Sequence, residues 1–351
     1  MDREPLHSNR APRQLRWEHI LAAVLVVVLI INSLISPAFL NLENLVGITQ
    51  VFVEKGVIGL ALLLLIVSGN IDLSCASIMA LSASVFGIAF QAHLPIWACM
   101  LFALCVGTAC GLFNGVIVSR AGIPSIIVTL VSLTFFRGIA FGLMKDSGVY
   151  GFPESFLSMG NGKVPGTYLP YSLAFFVLIS IPFAITLSRT YVGKKIYMVG
   201  SNPRASFVAG ISVKAMTLAL FTLSGFFYAI GAIMLVSRIG SVRPNIATGF
   251  ELDTIATIVF GGVAIYGGKG TFAGFMLSLF TLGYVRFGLG LQNLPGQLMV
   301  IVTGIILISS ILASNALQRL AERRNAASAQ PHSVERILST GTPEGSDPSA
   351  I

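Results

Sequence analysis

Residues 189–214, RTYVGKKIYMVGSNPRASFVAGISVK, decide the kind of fold this chain adopts, because they form a basic, polar segment between two long apolar stretches. The segment contains Lys and Arg but no Asp or Glu. At its centre, Asn202 and Pro203 are typical of a helix start, with Asn as the N-cap and Pro in the first turn. A short helix among cations, between two apolar stretches, predicts a cytoplasmic surface of a membrane protein on which a partner acts.

The composition excludes a soluble globular protein. Of the 351 residues, 55% are hydrophobic and 10% are charged, and the mean hydropathy is +0.86. Since a helix needs about 20 apolar residues to cross a bilayer, we predict an all-α fold, a polytopic transmembrane bundle of about ten helices. The 252–267 stretch is short, and we expect it to be broken or tilted. The predicted spans are 20–36, 46–67, 74–91, 95–118, 123–144, 170–188, 215–236, 252–267, 271–290 and 297–314.

The distribution of cations gives these spans an orientation. If the N-terminus is cytoplasmic, most of the 22 Lys and Arg residues fall on the cytoplasmic side, as the positive-inside rule requires. We therefore expect both termini inside, and the net charge of +8 then reflects contact with lipid headgroups rather than with nucleic acid. The predicted parts are a cytoplasmic arm at 1–19, a transmembrane domain at 20–314 that includes the cytoplasmic loop 189–214, and a disordered polar tail at 315–351.

Charged residues within apolar stretches are candidates for function, because each costs about 2.5–3.5 kcal/mol at a helix centre. Arg137 lies deep in LVSLTFFRGIAFGLM, and the sequence is equally compatible with an internal pairing and with a place in a transport pathway. Arg286 lies within FTLGYVRFGLG. For Glu54, Lys55 and Asp253 a structural role is favoured, since they lie nearer the predicted helix ends.

A polar break, SGNIDLSCAS (68–77), separates two apolar stretches. Asp72 or Ser74 is expected to cap the helix that follows, since lipid cannot satisfy free N–H groups. Interrupted segments also line substrate paths in transporters, and the two roles are compatible. Asn114, in GLFNG (111–115), is a further candidate for the pathway or its scaffold.

The sequence contains no recognisable catalytic or nucleotide-binding motif. GGVAIYGGKGT (261–271) resembles a phosphate-binding loop, but Lys269 precedes Gly270 rather than Ser or Thr, and position 263 is Val. The four cysteines lie in or beside apolar segments, where they are expected to be small packing residues rather than metal ligands. We predict that the chain is not an enzyme.

Several motifs in order make residues 17–314 resemble the membrane permease subunits of ribose-type ATP-binding cassette (ABC) sugar importers, a group that also serves rhamnose and the signal autoinducer-2. Rhamnose-type permeases are the most similar, on RWEHILAAVLV, SLTFFRGI, GFPESF and SRIGSVRPNIATGFELD. Asn70 and Cys75-Ala76 depart from the family pattern beside Asp72, which weakens any sugar-specific conclusion. The landmarks are SGNIDLSCAS (68–77), GLFNG (111–115), PSIIVTL (124–130), GKKIYMVGSNPRASFVAGI (193–211), ELDTIATIVFGGVAIYGGKGT (251–271) and FTLGYVRFGLGLQNLPG (280–296).

The resemblance implies import of a monosaccharide across the bacterial inner membrane. It favours rhamnose, with autoinducer-2 or ribose as alternatives. The implied partners are cytoplasmic ATPase subunits that use the ATP, a second permease subunit, a periplasmic sugar-binding protein and membrane lipid, and the chain itself binds no cofactor. A less favoured alternative is an ion-coupled secondary transporter using Asp72, Arg137 and Asp253. The residues implied in coupling to the ATPase are Gly200, Asn202, Pro203, Ala205 and Gly210.

Overall fold

The computed structural model describes residues 17–309 except 146, 297, 300, 303 and 307, and these residues form an all-α bundle, as predicted. A 3-10 turn lies at Pro37–Leu40 and a π-helical segment at Ile117–Ala121, and β1 (Val149–Tyr150) pairs antiparallel with β2 (Ser241–Val242). The helices are α1 (Trp17–Ile35), α2 (Leu42–Gly47), α3 (Thr49–Val67), α4 (Cys75–Gln91), α5 (Ile96–Val116), α6 (Ser125–Met144), α7 (Glu154–Asn161), α8 (Tyr171–Arg189), α9 (Tyr191–Ser201), α10 (Pro203–Val208), α11 (Val213–Ile239), α12 (Phe250–Phe260) and α13 (Phe272–Leu291).

The predicted spans correspond closely to these helices. Among the described residues, seven helical segments are long and apolar enough to cross a membrane, and α4 is a shorter apolar helix. The 252–267 stretch is broken, as expected, because α12 ends at Phe260 and turns follow. The predicted arm and tail lie outside the described residues, apart from residues 17–19, which already belong to α1.

The chain divides into two compact units, residues 1–303 and 304–351. The tenth predicted span, 297–314, is described only in part and extends across this division. Its described residues, 298–299, 301–302, 304–306 and 308–309, are helical.

Helices α3 and α4 form the centre of the bundle. Residues 56–67 of α3, GVIGLALLLLIV, are all buried, because a helix that is apolar on every side has no face to turn outward. Helix α4 is rich in Ala and Ser, small residues that let neighbouring helices approach. Helix α11 packs against α3, α4 and α5, whereas α1, α6 and α8 expose apolar faces that suit contact with lipid.

The loops gather at two ends of the bundle. At the first, which we call the Gly200 end, the segments 68–74, 190–212 and 261–271 meet, and the Gly268 N–H donates to the Val67 carbonyl at 2.9 Å. At the second, the Glu54 end, the strands join segments 149–150 and 241–242, and Lys163 pairs with Glu43 at 2.6 Å. Segments predicted to share one side of the membrane therefore contact each other at both ends. Between the predicted spans 123–144 and 170–188, the 145–169 segment contains helix α7.

Candidate functional site

The Gly200 end presents the short helix α10, and its start is built as the sequence predicts. The Asn202 side chain caps the helix by accepting from the Ala205 N–H at 3.0 Å, and Pro203 occupies the first turn. Pro fits there because its missing N–H would have no intrahelical partner. Asn202, Pro203 and Ala205 therefore fix where this exposed helix begins.

The other end of α10 is closed by Gly210. Its φ of +81° is left-handed, the Gly210 N–H donates to the Phe207 carbonyl, and the Ile211 N–H donates to the Ser206 carbonyl. This is the Schellman arrangement, which favours Gly at this position. Between the two caps, Phe207 is 73% and Val208 86% exposed. A rigid, capped helix thus carries two large apolar side chains into solvent.

Gly200 lies where α9 touches the rest of the bundle. A Cβ on Gly200 would lie 1.9 Å from the Val67 carbonyl oxygen and 2.5 Å from the Gly268 nitrogen, so only Gly fits. Nearby, the Tyr197 hydroxyl donates to the Gly270 carbonyl at 2.6 Å. Burial raises the pKa of the Tyr197 phenol, which keeps it protonated and able to donate. Helix α9 is thereby joined to the end of α3 and to the 261–271 segment.

The polar break holds Asp72 in a fully buried turn. Asp72 Oδ1 accepts from the Ser74 N–H at 2.8 Å and from the Ser74 hydroxyl at 2.6 Å. Ser74 is the N-cap of α4 by position, but neither side chain accepts from an N–H within the helix. The capping prediction is therefore wrong: the carboxylate instead closes a local turn, as short polar side chains commonly do.

Asn114 connects this turn to two membrane-spanning helices. Its amide donates to the Ser74 hydroxyl at 2.9 Å, and its Oδ1 accepts from the Ser132 hydroxyl of α6 at 2.6 Å. These side chains are all at least 97% buried. We name Asp72, Ser74, Asn114 and Ser132 the polar cluster. It brings together three residues singled out in the sequence and adds Ser132, which no sequence signal identified.

Beside the polar cluster, several buried oxygens lack a hydrogen-bond partner among the described residues. They include Asp72 Oδ2, the Tyr228 hydroxyl and the Ser224 hydroxyl, which miss ordinary hydrogen-bond geometry, although Tyr228 is close enough to interact with both Asp72 and Ser224. Unsatisfied buried polar atoms are uncommon and call for an explanation. Here Asp72, Tyr228 and Ser224 lie side by side, so they extend the polar region in the interior of the bundle.

Among the described residues, Arg137 makes no hydrogen bond to the polar cluster. Its Nη1 donates to the carbonyls of Pro244 and Ile246 at 3.0 and 2.8 Å, so it holds the 244–246 segment at the Glu54 end. The sequence left two roles open for Arg137, an internal pairing and a place in a transport pathway. Its contacts form an internal pairing, with backbone carbonyls rather than with an acid. A role in the pathway is untested.

Asp253 is bound by two cations. Arg286 donates to both of its carboxylate oxygens, and Lys55 donates to Oδ2. Glu54, beside Lys55 on α3, pairs with Arg238 of α11 through bonds of 2.5 and 3.1 Å. The structural role favoured for Glu54, Lys55 and Asp253 is consistent with these contacts, which join α3 to α11, α12 and α13. Neither Asp72 nor Ser74 takes part in them.

No group of three or more His, Cys, Asp or Glu side chains that would suit a metal ion occurs among the described residues. The arrangement is that of a membrane transport protein: a bundle of membrane-crossing helices, interrupted segments, and polar groups in the interior. The chain belongs to the family described as branched-chain amino acid transport system / permease component, which matches residues 44–311. The predicted resemblance to a permease family is confirmed, and the chain is an integral membrane protein.

Curated relatives are similar over most of their length. The chain is 33% identical over 302 residues to the autoinducer 2 import system permease protein LsrD of Photorhabdus temperata, covering 84% of this chain and 90% of that protein. It is 33% identical over 298 residues to the LsrD proteins of Escherichia coli K12 and Shigella flexneri, covering 83% of this chain and 90% of each relative. No solved structure gives a significant match.

Proposed function

We propose that this chain is the membrane subunit of an ABC importer and that cytoplasmic ATPase subunits bind it at α10. The observation that carries the proposal is the capped helix that exposes Phe207 and Val208 at the Gly200 end. An exposed apolar pair on a rigid support suits a groove in a partner protein. ATP is bound and hydrolysed by the partner, and this chain needs no cofactor of its own.

The contacts of Gly200 provide a route by which the ATPase acts on the bundle. Helix α9 touches the end of α3 through backbone atoms, and Tyr197 holds the 261–271 segment that connects α12 to α13. A displacement of α10 by the ATPase therefore moves α3, α12 and α13 together. Because these helices are also joined at the Glu54 end by the contacts of Asp253, the motion extends across the membrane.

The proposed solute is a small, neutral, sugar-like molecule delivered by a periplasmic binding protein to a pair of permease subunits. The relatives named as autoinducer 2 permeases support a sugar-like signal, whereas the sequence motifs favour rhamnose. The buried oxygens of Asp72, Tyr228 and Ser224 are suited to hydroxyl groups, since they supply both acceptors and donors and are not held in ordinary hydrogen-bond geometry. In this proposal both termini face the cytoplasm of a bacterial cell.

Two substitutions test the ATPase contact. Phe207→Asp and Val208→Asp place a charge on α10 without touching its caps, and each is expected to remove ATPase subunits from the complex pulled down with the tagged full chain. Leu40→Asp, at an apolar position of the Glu54 end that is 64% exposed, is the control and is expected to retain them. Retention of the ATPase by both α10 variants would contradict the proposed docking site.

Uptake by cells that carry the full system identifies the energy source and the solute. Labelled rhamnose, ribose and autoinducer-2 are compared, and we expect one of them to accumulate in an ATP-dependent way. Uptake that continues after ATP depletion and stops when the ion gradient is dissipated would instead establish a secondary transporter. The paired state of Asp253 argues against that outcome, since two cations already neutralise this carboxylate.

A further inference from the structure

A cavity of about 590 Å³ lies between α5, α7, α8 and α11, away from the polar cluster and from α10. Its volume is within the range of about 300–1,000 Å³ that is usual for small-molecule sites. The wall is mainly apolar, and three of its side chains are flexible thioethers that adapt to the shape of a guest. They are Met100, Met159 and Met234. Such a wall suits a hydrocarbon rather than a polyhydroxylated solute.

The cavity opens sideways. Helices α5, α8 and α11 are each long and apolar enough to cross a membrane, and the wall residues Met159 and Phe175 are exposed at its edge. At the depth of these spans, the surroundings of the bundle are lipid chains rather than water. The molecule present in excess at this opening is therefore a membrane lipid.

One hydroxyl at the cavity is without a partner. The hydroxyls of Ser158 and Ser237 donate to backbone carbonyls at 2.9 and 2.5 Å, whereas Ser172, only 4% exposed, has no hydrogen-bond partner among the described residues. Leaving such a buried group unpaired is destabilising. If Ser172 turns its hydroxyl toward the cavity, a guest that brings a carbonyl acceptor would pair with it.

The position of Ser172 indicates which carbonyl group of a guest would accept this hydrogen bond. Ser172 lies in the first turn of α8, directly after Tyr171, which also lines the cavity. Tyr is enriched at the boundary between hydrocarbon and headgroups. At this depth a glycerophospholipid carries its ester carbonyls, and its acyl chains extend from there into the apolar interior.

We propose that the cavity binds one acyl chain of a glycerophospholipid, with the ester carbonyl accepting a hydrogen bond from Ser172. The chain lies between α8 and α11 beneath α7, so the lipid fills the gap between these three helices. Because α8 continues into α9, the bound lipid contacts the helix that precedes the Gly200 end. The proposal depends only on the membrane location of the chain and stands apart from its transported solute.

Photocrosslinking of the full chain in liposomes tests this site. The probe is a phosphatidylglycerol with a diazirine midway along one acyl chain. We expect adducts to concentrate on the peptides of α8 and α11 that line the cavity. Met234→Trp fills the cavity and is expected to lower the adduct yield at least threefold. The control is Leu178→Trp, on the outer face of α8 and 67% exposed, which is expected to leave the yield unchanged.

A second comparison tests the hydrogen bond with a variant that removes only one hydroxyl. The unaltered chain is expected to crosslink the diester probe at least threefold more than a diether probe without carbonyls, and Ser172→Ala is expected to abolish this preference. Adducts spread evenly over all exposed helix faces, a yield unaffected by Met234→Trp, or crosslinks to a second copy of the chain at this cavity would overturn the lipid site. Equal yields of diester and diether adducts on the unaltered chain would overturn the role of Ser172.

Discussion

The ion pair between Glu54 and Arg238 is expected to respond asymmetrically to removal of its two partners. Glu54 is 1% exposed, whereas 21% of the Arg238 side chain is exposed. Arg238→Met leaves a buried carboxylate with its main partner removed, which costs about 3–5 kcal/mol. Glu54→Leu leaves a long cation near the end of α11 that can extend toward water, so the expected cost is smaller, about 1–2 kcal/mol.

The double variant distinguishes the stabilisation by the ion pair from the cost of burying a single unpaired charge. Replacing a buried ion pair by apolar residues of similar size is often neutral or stabilising. We therefore expect Glu54→Leu combined with Arg238→Met to lie within about 1 kcal/mol of the unaltered chain, far from the sum of the two single changes. The two side chains would then form one coupled unit that joins α3 to α11.

The free energy of unfolding is measured by titrating SDS into mixed micelles and following helicity by circular dichroism. A difference of about 3 kcal/mol between the Arg238→Met variant and the unaltered chain is roughly a hundredfold change in the unfolding equilibrium constant. Lys163→Met is the control, because its pairing with Glu43 is exposed and worth at most about 1 kcal/mol. Equal effects of the two single changes, or an additive double variant, would refute the reasoning.

Three further predictions concern contacts of single residues. Gly200→Ala inserts a methyl group against backbone atoms and is expected to cost about 1–3 kcal/mol, whereas Gly142→Ala, at a position with open space, is expected not to lower the melting temperature. Arg137→Leu removes two charged hydrogen bonds worth about 1.5–3 kcal/mol each, so amide hydrogen exchange in residues 244–249 is expected to accelerate at least tenfold, and unchanged exchange would contradict this role. Ser132→Ala leaves a buried amide oxygen of the polar cluster unpaired and is expected to cost about 1–3 kcal/mol in the same SDS titration; the control Thr134→Ala, on the exposed face of α6, is expected to cost less.

The positions of the helices along the chain were predictable, because each helix begins and ends close to where an apolar stretch of sequence begins and ends. Residues 123–144 correspond to α6 within two residues, and the short stretch at 252–267 correctly indicated a broken segment. The start of α10 was predictable for the same reason, since the Asn202 cap involves only neighbours in sequence.

Contacts between helices were not predictable from one sequence. Lys55 and Asp253 are 198 positions apart, and no periodicity within α3 or α12 indicates that these helices are neighbours. Arg238 follows the predicted span 215–236, yet it lies in the last turn of α11 and pairs with Glu54. Ser132 is one of many hydroxyls in apolar stretches, and only the fold brings it to Asn114.

The hydrogen bonds of Asp72 show a second limit of prediction from the sequence. A short acidic residue before a helix is typical of a cap, but its side chain can also bond to the backbone two positions on. Burial and the hydrogen bond from the Asn114 amide to the Ser74 hydroxyl decide between the two, and both depend on the packed bundle. The sequence therefore located the polar break correctly without determining what its carboxylate binds.

The joint beside Gly200 has a consequence for exchanging parts between related transporters. It is made of backbone atoms of Val67, Gly200 and Gly268, so its geometry does not depend on which side chains α10 displays. The segment 203–209 is a separate short helical unit, with its caps directly before and after it. A chimera that receives this segment from another permease is expected to keep the same backbone contacts beside Gly200. If α10 binds the ATPase as proposed, the chimera would bind the ATPase subunits of the other permease, so the choice of ATPase and the coupling of its motion to the bundle can be altered independently.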